Sequence, residues 1–209
     1  MLFRSGTWLR TGGAGYLGAP VARALKSAGH AVVLLADLST GSAERVADLR
    51  RIKASVLDSP KATAARMLEH QVTGIVHLAA KKSVPDSLIR PHQYYEINVV
   101  GTLRLREAAV PAGVTQLIYS SSAAVYRTAP QRPITEDDET DPASPYGESK
   151  HASAWIVRRM ADAGGMTGTG PRYFNVAGCA DGIRAEDDAS NLIPRAIAGR
   201  TPRHGHAES

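Results

Sequence analysis

The stretch Thr7-Trp8-Leu9-Arg10-Thr11-Gly12-Gly13-Ala14-Gly15-Tyr16-Leu17-Gly18 decides the fold. A short apolar run feeds a turn with glycines at 12, 15 and 18, and a helical stretch from about Leu17 to Ala28 follows, with Gly29 as its stop. Strand, tight turn and helix open a βαβ unit. Glycines at this spacing let backbone turn sharply and approach a pyrophosphate, while the helix N-terminus offers free N–H groups to that anion. Tyr16 and Leu17 supply the nearest amides. The turn therefore reads as nucleotide-binding rather than as a plain glycine-rich turn, because both flanks are present.

Working outward, short apolar runs alternate with helical stretches, the pattern of a parallel sheet with helices between its strands. Ala31 to Leu35 is a buried strand, followed by the turn-like Asp37-Leu38-Ser39-Thr40-Gly41-Ser42. Ile52 to Val56 is a shorter strand, Lys61 to His70 a helix and Gly74 to Leu78 the next strand. A loop around Lys81 to Asp86 precedes a long helix from Pro91 to about Ala109. Leu117 to Ser120 is a fifth strand, and the Pro- and acid-rich run from Ala129 to Pro145 is a surface loop. Arg172 to Asn175 resembles the end of a sixth strand, although the glycines at 164, 165, 168 and 170 are poor strand residues. A helix-like Leu192 to Ala198 lies near the end.

Composition narrows the function. The chain has 209 residues, enough for one main domain with a full core, and a mixed, globular make-up. No apolar run reaches the roughly 18 residues that span a bilayer and the first residues lack a secretory signal, so a cytoplasmic location is the default. The single cysteine, Cys179, excludes an internal disulfide, and no metal-ligand cluster is visible. A net charge of +5 raises the question of nucleic acid, but the arginines are scattered and lack interleaved aromatics. A solvated surface is the better reading.

Within Ser144-Pro145-Tyr146-Gly147-Glu148-Ser149-Lys150, a phenol and an ammonium stand four residues apart where a helix should begin, and so share a face. A lysine against a tyrosine favours the phenolate, lowering its pKa toward working pH as a proton acceptor for an alcohol requires. The spacing alone is weak. Its weight depends on the cofactor site built around it.

Those elements occur in a known order. Thr11 to Gly18, Asp37 to Gly41, His77-Leu78-Ala79-Ala80, Ser120-Ser121-Ser122-Ala123-Ala124-Val125-Tyr126, Tyr146-x-x-x-Lys150 and Arg172-Tyr173-Phe174-Asn175 resemble the motif series of extended short-chain dehydrogenases/reductases, nearest to the UDP-glucose 4-epimerases. The resemblance covers nearly all of this chain and about the first two-thirds of a typical family member. It implies an α/β, Rossmann-like doubly wound parallel sheet with helices on both faces and a truncated C-terminal substrate subdomain. Residues 1–171 would be the NAD-binding domain and 172–209 the incomplete start of a substrate-binding region.

By that resemblance, NAD would be held by Gly12, Gly15, Tyr16, Leu17 and Gly18 at the pyrophosphate and by Ala36, Asp37, Leu38, Ser39, Thr40 and Gly41 at the adenosine ribose. Ser55 and Val56 would lie near adenine, and Leu78, Ala79, Ala80 and Lys82 along the dinucleotide. Asn98, Ser122, Tyr146, Lys150 and Phe174 would complete the cofactor side. Ser122, Tyr146, Asn175 and Asn191 would face a UDP-sugar. The implied reaction oxidises the sugar at C4, with Tyr146 as proton acceptor, Lys150 tuning it and Ser122 orienting the hydroxyl. Hydride then returns to the other face of the 4-keto sugar, interconverting UDP-glucose and UDP-galactose in galactose metabolism. A homodimer through the Pro91 and Tyr146 helices is also implied.

Three departures shape the expectation. Ala36 replaces the acidic residue that the family places after the second strand, with Asp37 one position later, and no arginine follows Leu35 to favour NADP. Ala123 and Ala124 replace the Asp-Glu pair of related dehydratases, and methyl groups cannot move protons, which favours epimerisation. Arg10 places a charge in a strand expected to be buried on both faces. With the short chain, these leave open a truncated, catalytically inactive nucleotide-binding domain, or an epimerase for another nucleotide sugar.

Overall fold

The computed structural model describes residues 6–12, 17–37, 46, 49–126 and 132–176. The chain divides into two compact units, Met1–Asn175 and Val176–Ser209, and of the second only Val176 is among the described residues. The first unit is built on β1 (Thr7–Thr11), α1 (Gly18–Ser27), β2 (Ala31–Ala36), β3 (Arg50–Lys53), α2 (Pro60–Glu69) and β4 (Val72–His77). Next come α3 (Val84–Ile89), α4 (Pro91–Tyr94), a wide π-helical turn (Tyr95–Val100), α5 (Gly101–Ala109), β5 (Gln116–Tyr119) and β6 (Ser121–Ser122). A 3₁₀ turn (Ala123–Val125), α6 (Pro145–Gly164), β7 (Thr167–Thr169) and β8 (Arg172–Tyr173) complete it.

The main sheet has the order β3-β2-β1-β4-β5-β7, and every adjacent pair is parallel. Chain order reverses between β1 and β4, so the crevice beyond their carboxyl ends is where a doubly wound sheet accepts a ligand. Alternation along β2 sends Val33 and Leu35 to one core and Val32 and Leu34 to the other. The first core includes Met67 of α2, Leu105 of α5 and Val157 of α6; the second includes Ala22 of α1. Helices thus cover both faces, as the sequence pattern predicted. Arg10 is fully buried and has an interaction partner. No helix among the described residues is long and apolar enough to cross a membrane.

Several boundaries differ from the sequence reading. The third strand ends at Lys53 because Ser55 turns the chain: its amide donates to the Asp58 carboxylate at 3.2 Å and its hydroxyl accepts from the Leu57 amide at 3.2 Å. The expected loop at 81–86 contains the start of α3, where the Ser83 hydroxyl caps the Asp86 amide. The sixth strand of the main sheet is Thr167–Thr169, whereas Arg172-Tyr173 pairs with Ser121-Ser122 in a separate two-stranded sheet. Gly168 has a packing reason, since a Cβ there would sit 2.9 Å from Val157 Cγ1 of α6. The helix expected at 192–198 lies outside the described residues.

Candidate functional site

At the switch point, β1 and β4 meet backbone to backbone. Gly12 takes a left-handed conformation, φ +66°, and a Cβ on it would lie 2.5 Å from the Ala79 nitrogen. Only glycine fits there. The Leu78 amide donates to the Thr11 carbonyl at 3.3 Å and the Ala79 amide to the Thr11 hydroxyl at 3.2 Å, fixing the segment 78–80 beside the glycine turn. Leu17 caps α1 and Gly18 begins it, so the helix N-terminus faces the same crevice end of β1. Ala36 ends β2 packed against the second core, and Asp37 follows it, exposed. Ser55 and Val56 follow β3, with Val56 packed at Gly101 of α5. Gly15, Tyr16, Leu38, Ser39, Thr40, Gly41 and Asn191 lie outside the described residues.

The second half of the site is the start of α6. The Ser144 hydroxyl accepts from the Gly147 amide at 3.2 Å, Pro145 fills the first helical position and Glu148 lies in the first turn. Tyr146 and Lys150 follow on one face. Gly147 has a role the sequence did not disclose: a Cβ there would overlap the Ala124 carbonyl, so glycine lets the helix press onto the 3₁₀ turn after Ser122. Ser122 accepts from the Ala124 amide at 3.2 Å, and its hydroxyl also acts on the Tyr146 phenol. Tyr94 meets the Tyr146 ring edge-on at 6.4 Å and is itself held by Asp86 at 3.0 Å.

The expected lowering of the Tyr146 pKa by Lys150 is not found. Burial raises the phenol above its ordinary value, opposed only by the Ser122 hydroxyl. The shift falls on the lysine instead. Lys150 is 3 % exposed, its Nζ donates to the Ser120 carbonyl at 2.8 Å and lies 5.1 Å from the Tyr119 ring centre, and burial lowers its pKa from 10.5 to about 7. Its charge is therefore adjustable near neutrality.

Asn98 is less open to a cofactor than its expected role requires. Its Oδ1 accepts from the Lys81 amide at 2.8 Å, and its Nδ2 donates to the Lys81 carbonyl at 3.1 Å and to Ser149 Oγ at 2.9 Å. Both amide hydrogens and the oxygen are thus engaged in scaffold. Lys82 is exposed with a partner of its own, and Phe174 and Asn175 stand exposed beyond β8. Beyond Gly147, the residues that sequence reasoning missed are Ser149, Ser153 and Thr102, buried polar side chains joined to Asn98. Their only sequence signal is polar residues at core positions of helices.

Two outcomes follow. Gly147→Ala forces α6 off the Ala124 carbonyl and should cost about 1–3 kcal/mol of stability by urea denaturation, with loss of the Tyr146 placement. For Lys150, the folded state releases its proton near pH 7 and the unfolded chain near 10.5, so between these values the unfolded chain holds more protons and stability rises with pH. Lys150→Met should remove most of that rise between about pH 7 and about pH 9.

The chain has counterparts among known proteins in sequence and fold. The sequence pattern of the NAD dependent epimerase/dehydratase family is matched over residues 8–201. The UDP-glucose 4-epimerase of Streptomyces lividans is 40 % identical over 192 residues, covering 91 % of this chain and 58 % of that protein. Among solved structures, UDP-glucose 4-epimerase from Brucella ovis in complex with NAD superposes with a TM-score of 0.88 at 32 % identity, covering 94 % of this chain and 62 % of its own. The enzyme from Stenotrophomonas maltophila, with bound NAD and formylated UDP-arabinopyranose, gives 0.86 at 32 % identity, covering 94 % and 63 %. This chain therefore spans less than two-thirds of these relatives. With the glycine turn at the switch point and the Tyr146–Lys150 helix behind it, the match over 8–201 leads to one conclusion: the chain belongs to the NAD dependent epimerase/dehydratase family.

Proposed function

We propose that this chain is the dinucleotide-binding and proton-transfer part of an NAD-dependent UDP-glucose 4-epimerase. The observation that carries the reading is the convergence of Ser122, Tyr146 and buried Lys150 behind a glycine cradle at the switch point. On this reading residues at 12, 17–18, 36–37, 55–56 and 78–80 rim that crevice, and the close backbone approach of Gly12 to Ala79 suits a dinucleotide. Gly15, Tyr16, Leu38, Ser39, Thr40 and Gly41 are proposed to complete its phosphate and ribose contacts. NAD, when bound there, supplies a reversible hydride acceptor for C4 of the sugar.

The chain's own groups handle the proton. Tyr146 takes it from the C4 hydroxyl, the Ser122 hydroxyl orients that oxygen, and Lys150 in its charged form offsets the phenolate that burial disfavours. After the 4-keto sugar turns over, Tyr146 returns the proton as hydride comes back to the opposite face. Ala123 and Ala124 carry no acid or base, which favours this route over elimination of water. Asn175 and Asn191, with the 172–209 segment, are proposed to begin the sugar-nucleotide side of the site, and Phe174 to abut the cofactor.

A second reading, nucleotide binding without turnover, is favoured by Ala36 at the ribose position. Turnover separates the two. Purified, folded chain with NAD should interconvert UDP-galactose and UDP-glucose, and Tyr146→Phe should lower the rate by about 10²–10⁴. NAD binding with no turnover and no UDP-sugar binding would leave the second reading standing.

A homodimer belongs to the same proposal. Tyr95, Val100 and Leu103 are exposed on the wide turn and α5, Trp155 is 60 % exposed on α6, and Tyr95 donates to Glu148 across these elements. Such exposed apolar residues on adjacent helices suit a second copy. Light scattering should give twice the 22.2 kDa chain mass, reverting to one chain in Leu103→Glu; a monomer throughout counts against it.

A further inference from the structure

Beneath the crevice, buried polar groups from β1, β4, α5 and α6 form a continuous series. Thr11, His77, Thr102, Asn98, Ser149 and Ser153 are each 2 % exposed or less. Carbonyl oxygens only accept, which fixes the links that end on one, and for a neutral ring the two His77 contacts then follow. The Thr102 hydroxyl donates to the Asn98 carbonyl at 2.5 Å, so its contact with His77 Nε2 at 3.0 Å must use a proton on that nitrogen. A neutral ring then leaves Nδ1 bare, to accept from the Thr11 hydroxyl at 2.7 Å, while Thr11 accepts from the Ala79 amide. Beyond Asn98, its Nδ2 donates to Ser149 Oγ, whose hydroxyl donates to the Tyr146 carbonyl at 2.7 Å. The Ser153 hydroxyl shares its one proton between the Asn98 and Ser149 carbonyls, 2.8 Å from each.

We propose that His77, held as its Nε2–H tautomer between Thr11 and Thr102, is a positioning residue that couples the end of β1 at Thr11 and Gly12 to the first turn of α6. This rests on the functional reading above and adds to it how the two halves of the site keep their spacing. The link spans β1, which ends at Thr11, and the helix turn that carries Asn98. Neutrality of the ring is consistent with its surroundings: burial, then Lys150, hold its pKa down to about 3, and its other close neighbour is the Tyr119 ring at 5.8 Å. Replacing His77 or either threonine breaks a satisfied buried series in its middle, where the remaining groups lose partners.

The test needs neither NAD nor sugar, so its failure and that of the functional reading are separable. In the 15N-histidine-labelled full chain, with the resonance assigned by its absence in His77→Gln, His77 should show protonated Nε2 and bare Nδ1 throughout about pH 5–8. Hydrogen exchange at the 147–150 amides should then quicken about tenfold in both Thr11→Val and Thr102→Val. A protonated Nδ1, a titration midpoint within that range, or faster exchange confined to the strand or helix carrying the substitution would overturn the proposal. If a valine variant fails to fold, the wild-type tautomer decides.

Discussion

The site depends on one helical turn wound wide. Between Tyr95 and Val100 the helix makes a π turn, and Asn98 sits inside it. The residue's carbonyl receives the Thr102 and Ser153 hydroxyls, while its amide clamps Lys81 on one side and Ser149 on the other. A single residue thereby binds the loop after β4 to the first turns of α6. Gly147 brings that helix down on the 3₁₀ turn and Gly12 brings β1 against β4, so close backbone approach sets the remaining two edges. The reacting groups inherit their positions from these contacts.

Burial then sets protonation. Lys150 and His77 are both driven toward their neutral forms, and Tyr146 is also held neutral by desolvation. The outcomes differ because the ordinary values differ: burial carries His77 from 6.5 to about 3, well below working pH, and Lys150 from 10.5 only to about 7. His77 has a donor and an acceptor for its neutral ring, and the Lys150 ammonium has a carbonyl to donate to. A tyrosine beside a lysine is thus not enough to make a phenolate. The balance between burial, Ser122 and the lysine charge decides it, and only the folded arrangement reveals that balance.

Much of the fold was legible because hydrophobic period and punctuation agree. The run 31–35 reads as a strand and is one, Pro91 begins a helix as read, the helix read at Tyr146 begins one residue earlier at Pro145, and Gly12 to Gly18 stands between strand and helix where described. Tyr146 and Lys150 were legible for the same reason, since helix geometry places them on one face. Other features had no one-dimensional signal. The π turn is hidden in an ordinary helical pattern, and the contacts Asn98 makes from it, to Lys81 and Ser149, are with residues distant in sequence. The glycines around 168 argued against a strand, yet Gly168 is there to admit Val157. Asn98 was read as a ligand contact when its amide is engaged within the protein, and Ser149 and Ser153 were unremarkable until their burial was seen.

The account holds that the Gly12 cradle at the β1/β4 switch point receives NAD and that the Tyr146 helix is assembled against it. Isothermal titration of the folded chain with NAD, in parallel with Gly12→Val, addresses this directly. The account predicts one NAD bound per chain and loss of that binding in the variant, whose added side chain overlaps the backbone at Ala79. No NAD bound by the folded wild-type chain, or equal affinity in a folded Gly12→Val, would contradict it.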